Sequence, residues 1–237
     1  MSDKIFHTNV AKFTSKDGDN ILYPFGPPLF QTEVDPNFTK ELLEEGRKLN
    51  IKEDDFNHKL AGNLKYGRSF TYKHDYIRKV EPYLIKYVDR FMSAITQQYS
   101  DNCNHPDNYD KVQKLFHIQT DIGKARKGKL KLESLWINFS QKHDFNPPHS
   151  HTGVLSFVIF CKVPEQIFEV QADSNTRRAG EIVFGYGEQI TPLGGTEFPI
   201  KPYEDLMFIF PATLRHYVPS YWIDEERISV SGNFVVV

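Results

Sequence analysis

The chain is expected to form a mostly β, α+β fold: an antiparallel sandwich or jelly roll braced by two N-terminal helices. From Lys129 onward, short runs rich in β-branched and aromatic residues (LKLESLWINF, LSFVIFCKV, QIFEVQA, GEIVFGYG, DLMFIF and RISVSGNFVVV) alternate with clusters of Gly, Pro, Asn and Asp, the texture of antiparallel strands joined by turns. Upstream, two segments instead space their apolar residues by three and four. No internal repeat or low-complexity linker divides the chain, and neither half looks self-sufficient. Residues 1–237 are therefore read as one domain, with helical support over about 36–100 and a jelly-roll core over about 129–237.

Taken in order, ILYPFGPPLFQTEV (Ile21 to Val34) is punctuated by Pro and Gly and ends extended. Asp35 reads as an N-cap, with Pro36 at the first helical position and PNFTKELLEEGRKL following. HKLAGNLKYGRSFTY is a loop leading into a short strand. A second helix is expected from about Asp75 to Tyr99, with Ile77, Val80, Leu84, Val88, Phe91 and Ile95 on one face. Pro82 in its early turns implies a later start or a kink. NCNHPDNYDKV (102–112) is read as a loop between the halves.

Composition narrows the function. The 29 basic and 31 acidic residues nearly cancel without forming blocks, which gives a nucleic-acid or membrane surface no electrostatic support. Cys103 and Cys161 sit far apart in dissimilar contexts, so a disulfide framework is not expected and a reducing compartment is. MSDKIFHTNV has no signal-peptide core, and nowhere do about 18 apolar residues run together. A soluble, cytoplasmic protein follows, in the host's cytoplasm if the gene is viral. The glycine-rich GEIVFGYGEQITPLGG lacks the strand-to-helix context of a phosphate loop, and no Gly-x-Ser-x-Gly is present.

The chemistry concentrates in NPPHSHTGVLSFVIF (Asn146 to Phe160). If His149 and His151 lie on an extended segment, both imidazoles project from one face. His216, at the end of the apolar strand in FIFPATLRHYVPSYW, is the candidate third ligand. Three facial ligands leave positions open on a metal, the arrangement of non-haem Fe(II) oxygenases, usually with two His and one carboxylate. Ten residues beyond His216, Arg227 and Ser229 share a face of another strand. Their guanidinium and hydroxyl suit a carboxylate, as an oxo-acid co-substrate chelating the metal would require. Each residue also has a plainer reading: HxH as a solvated turn, His216 as a packed histidine, Arg227 as an exposed charge paired with Glu225 or Glu226. His58, His74, His105, His117 and His143 are left as structural or exposed, and Trp136, Phe157, Phe160, Phe184 and Cys161 as core. Asn138 and Ser156 either face a bound dicarboxylate or pair with each other between strands.

Together, W-x-N (Trp136 to Asn138), N-P-P-H-S-H-T-G-V-L-S-F-V (Asn146 to Val158), G-E-I-V-F-G-Y-G-E (Gly180 to Glu188), F-P-A-x-L-x-H-x-V-P (Phe210 to Pro219) and R-I-S-V-S-G-N (Arg227 to Asn233) resemble the 2-oxoglutarate- and Fe(II)-dependent oxygenases. The similarity is closest to the small branch common in tailed phages of marine bacteria. It is dense from about Trp136 to the C-terminus and extends to PFGPPLFQTEV and HKLAGNLKYG. The resemblance implies a double-stranded β-helix, a distorted jelly roll. Within it, His149 and His216 would be Fe(II) ligands, Arg227 and Ser229 would hold the distal carboxylate of 2-oxoglutarate, and Asn138 would lie in the same co-substrate site. It further implies an oxygenase using 2-oxoglutarate and O2, which hydroxylates a C–H bond of an unidentified primary substrate and releases succinate and CO2.

The chain departs from the commonest family pattern, His-x-Asp followed by a distant His, because His151 stands where Asp is expected. Three possibilities stay open: a three-histidine site, a carboxylate from elsewhere such as Asp144, or His151 acting only to orient its neighbours. Three neutral imidazoles leave more net charge on the ion, and they suit Zn(II) as well as Fe(II). Two rival functions remain: a jelly-roll binding or virion structural protein with an idle or structural metal site, and a cupin-like three-histidine metalloenzyme without 2-oxoglutarate. The surface around Ala61 to Tyr72 and the turns after Val163 and Ile190 would define the substrate, but select none.

Overall fold

The structure, a computed structural model, describes residues 11–23, 27–62, 64–102, 129–169, 178–188 and 195–237. Among the described residues, twelve strands form two antiparallel sheets. The larger contains β1 (Ala11–Thr14), β2 (Asn20–Tyr23), β3 (Leu29–Glu33), β4 (Arg68–Thr71), β5 (Leu130–Ser140), β7 (Leu155–Lys162), β10 (Leu206–Pro211) and β12 (Arg227–Val236). Their order across the sheet is β1-β2-β3-β10-β7-β12-β5-β4. The smaller has the order β6-β11-β8-β9, with β6 at Asn146–His149, β8 at Ile182–Gly185, β9 at Glu197–Ile200 and β11 at Arg215–Val218.

From β5 onward, successive strands alternate between the sheets, except that β8 and β9 are neighbours in the smaller one, giving β10-β7-β12-β5 against β6-β11-β8-β9. That winding is the double-stranded β-helix, and β1 to β4 extend its larger sheet at both edges.

Strand β7 shows why the sheet is central. Seven of the eight side chains in LSFVIFCK are buried, because both faces are covered. Phe157, Ile159 and Cys161 pack with Ile137, Ile228 and Val230 against the helices. Val158 and Phe160 pack with Phe208 and Phe210 against Ile182, Phe184 and Phe198 of the smaller sheet. The site lies between the sheets.

Helix α1 (Pro36–Gly46) starts as the sequence predicts, with the Asp35 carboxylate accepting from the Asn37 N–H and Pro36 next to the cap. A four-residue helix α2 (Ile51–Asp54) follows, capped by Asn50. Helix α3 runs from His74 to Asn102 with Pro82 inside it. The expected later start at Pro82 therefore does not occur. Pro82 is exposed, so water can satisfy the carbonyl its ring leaves unpaired. No helix among the described residues is long and apolar enough to cross a membrane.

Two sequence expectations need correction. The described part of QIFEVQA is not a strand: Glu165–Phe168 forms a 3-10 turn, anchored by fully buried Ile167 packing with Ala179 and Tyr221, and residues 170–172 lie outside the described residues. His216 does not end the apolar strand DLMFIF. That strand stops at Pro211, and His216 belongs to the next short strand, β11. Most of the 102–112 stretch lies outside the described residues, as do His105, His117 and Cys103.

Candidate metal centre

Strand β6 is an edge strand, the place where Pro147 and Pro148, which lack N–H donors, can be accommodated. It pairs with β11 so that His149 stands directly opposite His216. His151 lies just past the end of β6, where its backbone N–H donates to the Ala212 carbonyl at 2.8 Å. The three imidazoles thus converge through one cross-strand pair and one tethered turn rather than through alternation along a strand. One nitrogen from each ring lies within 4.8 Å of the others.

Hydrogen bonds set which nitrogens meet. His149 Nδ1 lies 2.8 Å from the Pro147 carbonyl and His216 Nδ1 lies 3.0 Å from the Leu214 carbonyl. Each Nδ1–H therefore donates to backbone and leaves Nε2 as the lone-pair nitrogen. The Nε2 atoms of His151 and His216 are 3.2 Å apart. Two nitrogens bound at about 2.0–2.1 Å to one ion, at angles between a right angle and tetrahedral, stand about 2.9–3.4 Å apart. The separation fits a shared ion. The rings are also braced: Trp136 lies 5.5 Å from His151 and is itself stacked with Phe56, and Phe210 lies 4.9 Å from His216.

Burial keeps these rings neutral. Desolvation lowers the pKa of His149, and desolvation together with His149 lowers His151 to about 4. His216 falls well below its usual value through burial first, then through both neighbours. Neutral imidazole is the form that binds a metal.

The same cavity reaches Asn138, Arg227 and Ser229. Arg227 and Ser229 share the inner face of β12, as the sequence predicts, and Asn138 stands opposite Ser229 on β5. Arg227 is only 3% exposed. Its expected partners are engaged elsewhere: Glu226 pairs with Arg47, and Glu225 with Lys162. Among the described residues no carboxylate reaches Arg227. Its Nε is buried without a partner, and its guanidinium lies 5.1 Å from the Phe160 ring. Desolvation lowers its pKa to about 10, which still leaves it cationic at neutral pH. A buried cation without a counter-charge is costly unless an anion comes to it.

Other readings resolve differently. Asn138 does not pair with Ser156. Its Oδ1 accepts from Ser69 Oγ at 2.8 Å, whereas Ser156 Oγ donates to Asn233 Oδ1 at 2.7 Å. The Asp144 carboxylate accepts the backbone N–H groups of Tyr66, Gly67 and Gln141 at 3.1, 2.7 and 2.9 Å. It is thus a loop tether and lies outside the cluster of possible metal ligands. Trp136, Phe157, Phe160 and Phe184 are core as expected, though Trp136 and Phe157 also line the cavity. His58, His74 and His143 are exposed. Sequence reasoning missed Tyr221, whose buried hydroxyl lies 2.6 Å from the Ser140 carbonyl and accepts the Arg227 N–H at 3.3 Å. It also missed Ser69. Both act across strands distant in sequence, and no local motif marks them.

Residues 134–233 match the family described as "Putative 2OG-Fe(II) oxygenase". The match spans less than half of the chain and includes all three histidines, Asn138, Arg227 and Ser229. No curated protein matches the chain in sequence.

Solved structures are similar at low identity. An oxidoreductase of the 2OG-Fe(II) oxygenase family from Burkholderia pseudomallei is 19% identical, with 46% of each chain covered and a TM-score of 0.31. A Pseudomonas putida prolyl-4-hydroxylase is 12% identical over 88% of this chain and 92% of its own, with a TM-score of 0.46. The viral collagen prolyl hydroxylase of Paramecium bursaria Chlorella virus-1, solved with 2OG, is 10% identical over 88% and 96%, with a TM-score of 0.45. The fold assignment rests on the strand order itself.

Proposed function

We propose that the chain is a 2-oxoglutarate- and Fe(II)-dependent oxygenase in which His149, His151 and His216 hold the metal. Arg227, Ser229 and Asn138 hold the co-substrate. The observation that carries this reading is Arg227: a buried guanidinium with no counter-charge among the described residues, in the cavity that also holds three converging imidazoles. The family match over 134–233 supports it independently. The three-histidine donor set alone suits Zn(II) equally well. The waiting cation favours a reaction that needs an anionic partner.

Fe(II), when bound, supplies the coupling of 2-oxoglutarate decarboxylation to oxidation by O2. The protein's part is positional. The backbone carbonyls of Pro147 and Leu214 hold the His149 and His216 rings in the tautomer whose Nε2 faces the cavity. Burial keeps all three imidazoles unprotonated and available. Arg227 and Ser229 offer a charged and a neutral donor to the distal carboxylate, which fixes the co-substrate's orientation. Phe157, Phe210 and Trp136 line the cavity with apolar surface that limits water.

On this reading the products are succinate, CO2 and a hydroxylated primary substrate. Kinship with the small branch of marine tailed phages rests on the motif resemblance alone. The test is succinate formation from 2-oxoglutarate by Fe(II)-loaded protein in air. Activity is expected to depend on added Fe(II) and to disappear in His216→Ala. Turnover that persists in His216→Ala, or wild-type protein that binds metal but never consumes 2-oxoglutarate, contradicts the reading.

A further inference from the structure

Ser69 lies on β4, outside the residues that match the oxygenase family. It is fully buried. In the larger sheet it stands opposite Asn138, which in turn stands opposite Ser229. The three form one row across β4, β5 and β12, ending beside Arg227.

The Ser69 hydroxyl has one proton and two nearby acceptors: Asn138 Oδ1 at 2.8 Å and the Ile137 carbonyl at 3.2 Å. The shorter contact goes to the amide. Ser69 is itself held by its backbone N–H, which donates to Asn57 Oδ1 at 2.6 Å. With Oδ1 engaged by Ser69, Nδ2 is the end of the amide left for the cavity that Asn138 lines, and no hydrogen bond joins it to a described residue. An asparagine amide left alone would offer the cavity either a donor or an acceptor, because rotating it exchanges the two ends.

We propose that Ser69 is a positioning residue that locks the Asn138 amide with its N–H groups facing the cavity. Together Asn138, Ser229 and Arg227 then make a corner built to donate. It accepts a group that offers only lone pairs, such as the carboxylate or keto oxygen of a 2-oxo acid, and rejects one that must donate there. The proposal rests on the functional reading above and adds to it a residue from outside the matched region.

The test is calorimetric titration of 2-oxoglutarate into the full chain loaded with Mn(II), a redox-silent stand-in for Fe(II). Ser69→Ala is expected to weaken 2-oxoglutarate binding about three- to tenfold, the effect of one neutral hydrogen bond, while Mn(II) affinity and Tm stay near wild type. Ser69→Thr, which keeps the hydroxyl, is expected to restore binding. In an Asn138→Ala background, Ser69→Ala should have no further effect, because the amide it orients is gone. Asn138→Asp should bind more weakly than Asn138→Ala, since it turns a lone-pair oxygen toward the incoming carboxylate. If wild type binds 2-oxoglutarate and Ser69→Ala binds it equally well, the positioning role is wrong and the functional reading stands. The role is equally wrong if Ser69→Ala loses as much affinity without Asn138 as with it, or if Asn138→Asp binds as well as wild type. If wild type does not bind 2-oxoglutarate at all, both fall together.

Discussion

Arg227 is the residue whose energetics say most about the site. Its guanidinium is desolvated with no counter-charge among the described residues, which opposes stability unless an anion binds there. Replacing it with an apolar side chain of similar length should separate folding from binding. Arg227→Met is expected to leave the Tm of ligand-free protein unchanged or higher, while 2-oxoglutarate binds about 30-fold or more weakly, the loss expected for one partner of a buried charge pair. A drop in Tm of several degrees without ligand would mean that the arginine is paired within the fold. The histidines give a pH signature. Their folded pKa values lie below the usual 6.5, with His151 at about 4. Between those values the unfolded chain binds more protons than the folded one, so acid favours unfolding. As far as these rings are concerned, metal-free stability is level above about pH 6.5 and falls as the pH drops through 6.5 towards 4. Urea midpoints measured across that range check this, and His151→Leu should show a smaller decline. Arg227 and Ser229 were legible because they share a face of one strand, and the histidines because they stand in short motifs, although the rings meet through a cross-strand pair and a turn rather than through the expected alternation. Ser69 was not, since its role comes from a strand pairing that brings it beside a residue 69 positions away.

Among the elements, those with strong periodicity could be read and those defined by their neighbours could not. Helices α1 and α3 show their apolar spacing and α1 its cap, β7 and β10 are apolar runs buried on both faces, and β5 and β12 are long strands rich in β-branched and aromatic residues. Strand β6 contains two prolines and is a strand only because β11 lies beside it. QIFEVQA has strand composition, but its described part has a single buried anchor, Ile167, and one buried residue does not require a strand. The loop before β4 is set by Asp144 and by Gly67, where a Cβ would collide with the Phe139 carbonyl. Gly67→Ala is therefore expected to destabilise the protein by about 2 kcal/mol or more, because neither backbone can yield without breaking the β4–β5 pairing. Its urea midpoint checks this, and a loss below about 0.5 kcal/mol would mean the loop is free to shift. On α3, fully buried Phe91 lies 5.3 Å from Phe30 of β3. Phe91→Ala should cost about 3–5 kcal/mol in the same experiment.

Across the whole molecule, the larger sheet carries two unlike faces. One is apolar and held against the helices. The other meets the smaller sheet and ends in the polar row Ser69, Asn138, Ser229 and Arg227, next to three imidazoles supplied by β6, β11 and the turn after β6. The sequence foresaw two layers and a helical brace. It placed the surface around Ala61 to Tyr72 near the site, but not Ser69 in register with Asn138, since β4 meets β5 only by joining the sheet's far edge. The central claim is that one ion on the histidines and one dicarboxylate on Arg227 occupy this cavity together. The most direct measurement is anaerobic titration of 2-oxoglutarate into the Fe(II) protein, followed by visible absorption. A weak charge-transfer band should appear with Fe(II) and 2-oxoglutarate together, be absent in His216→Ala, and need at least tenfold more 2-oxoglutarate in Arg227→Met. A protein that binds Fe(II) but gives no band, or a band whose half-saturation is the same in Arg227→Met, would contradict that claim.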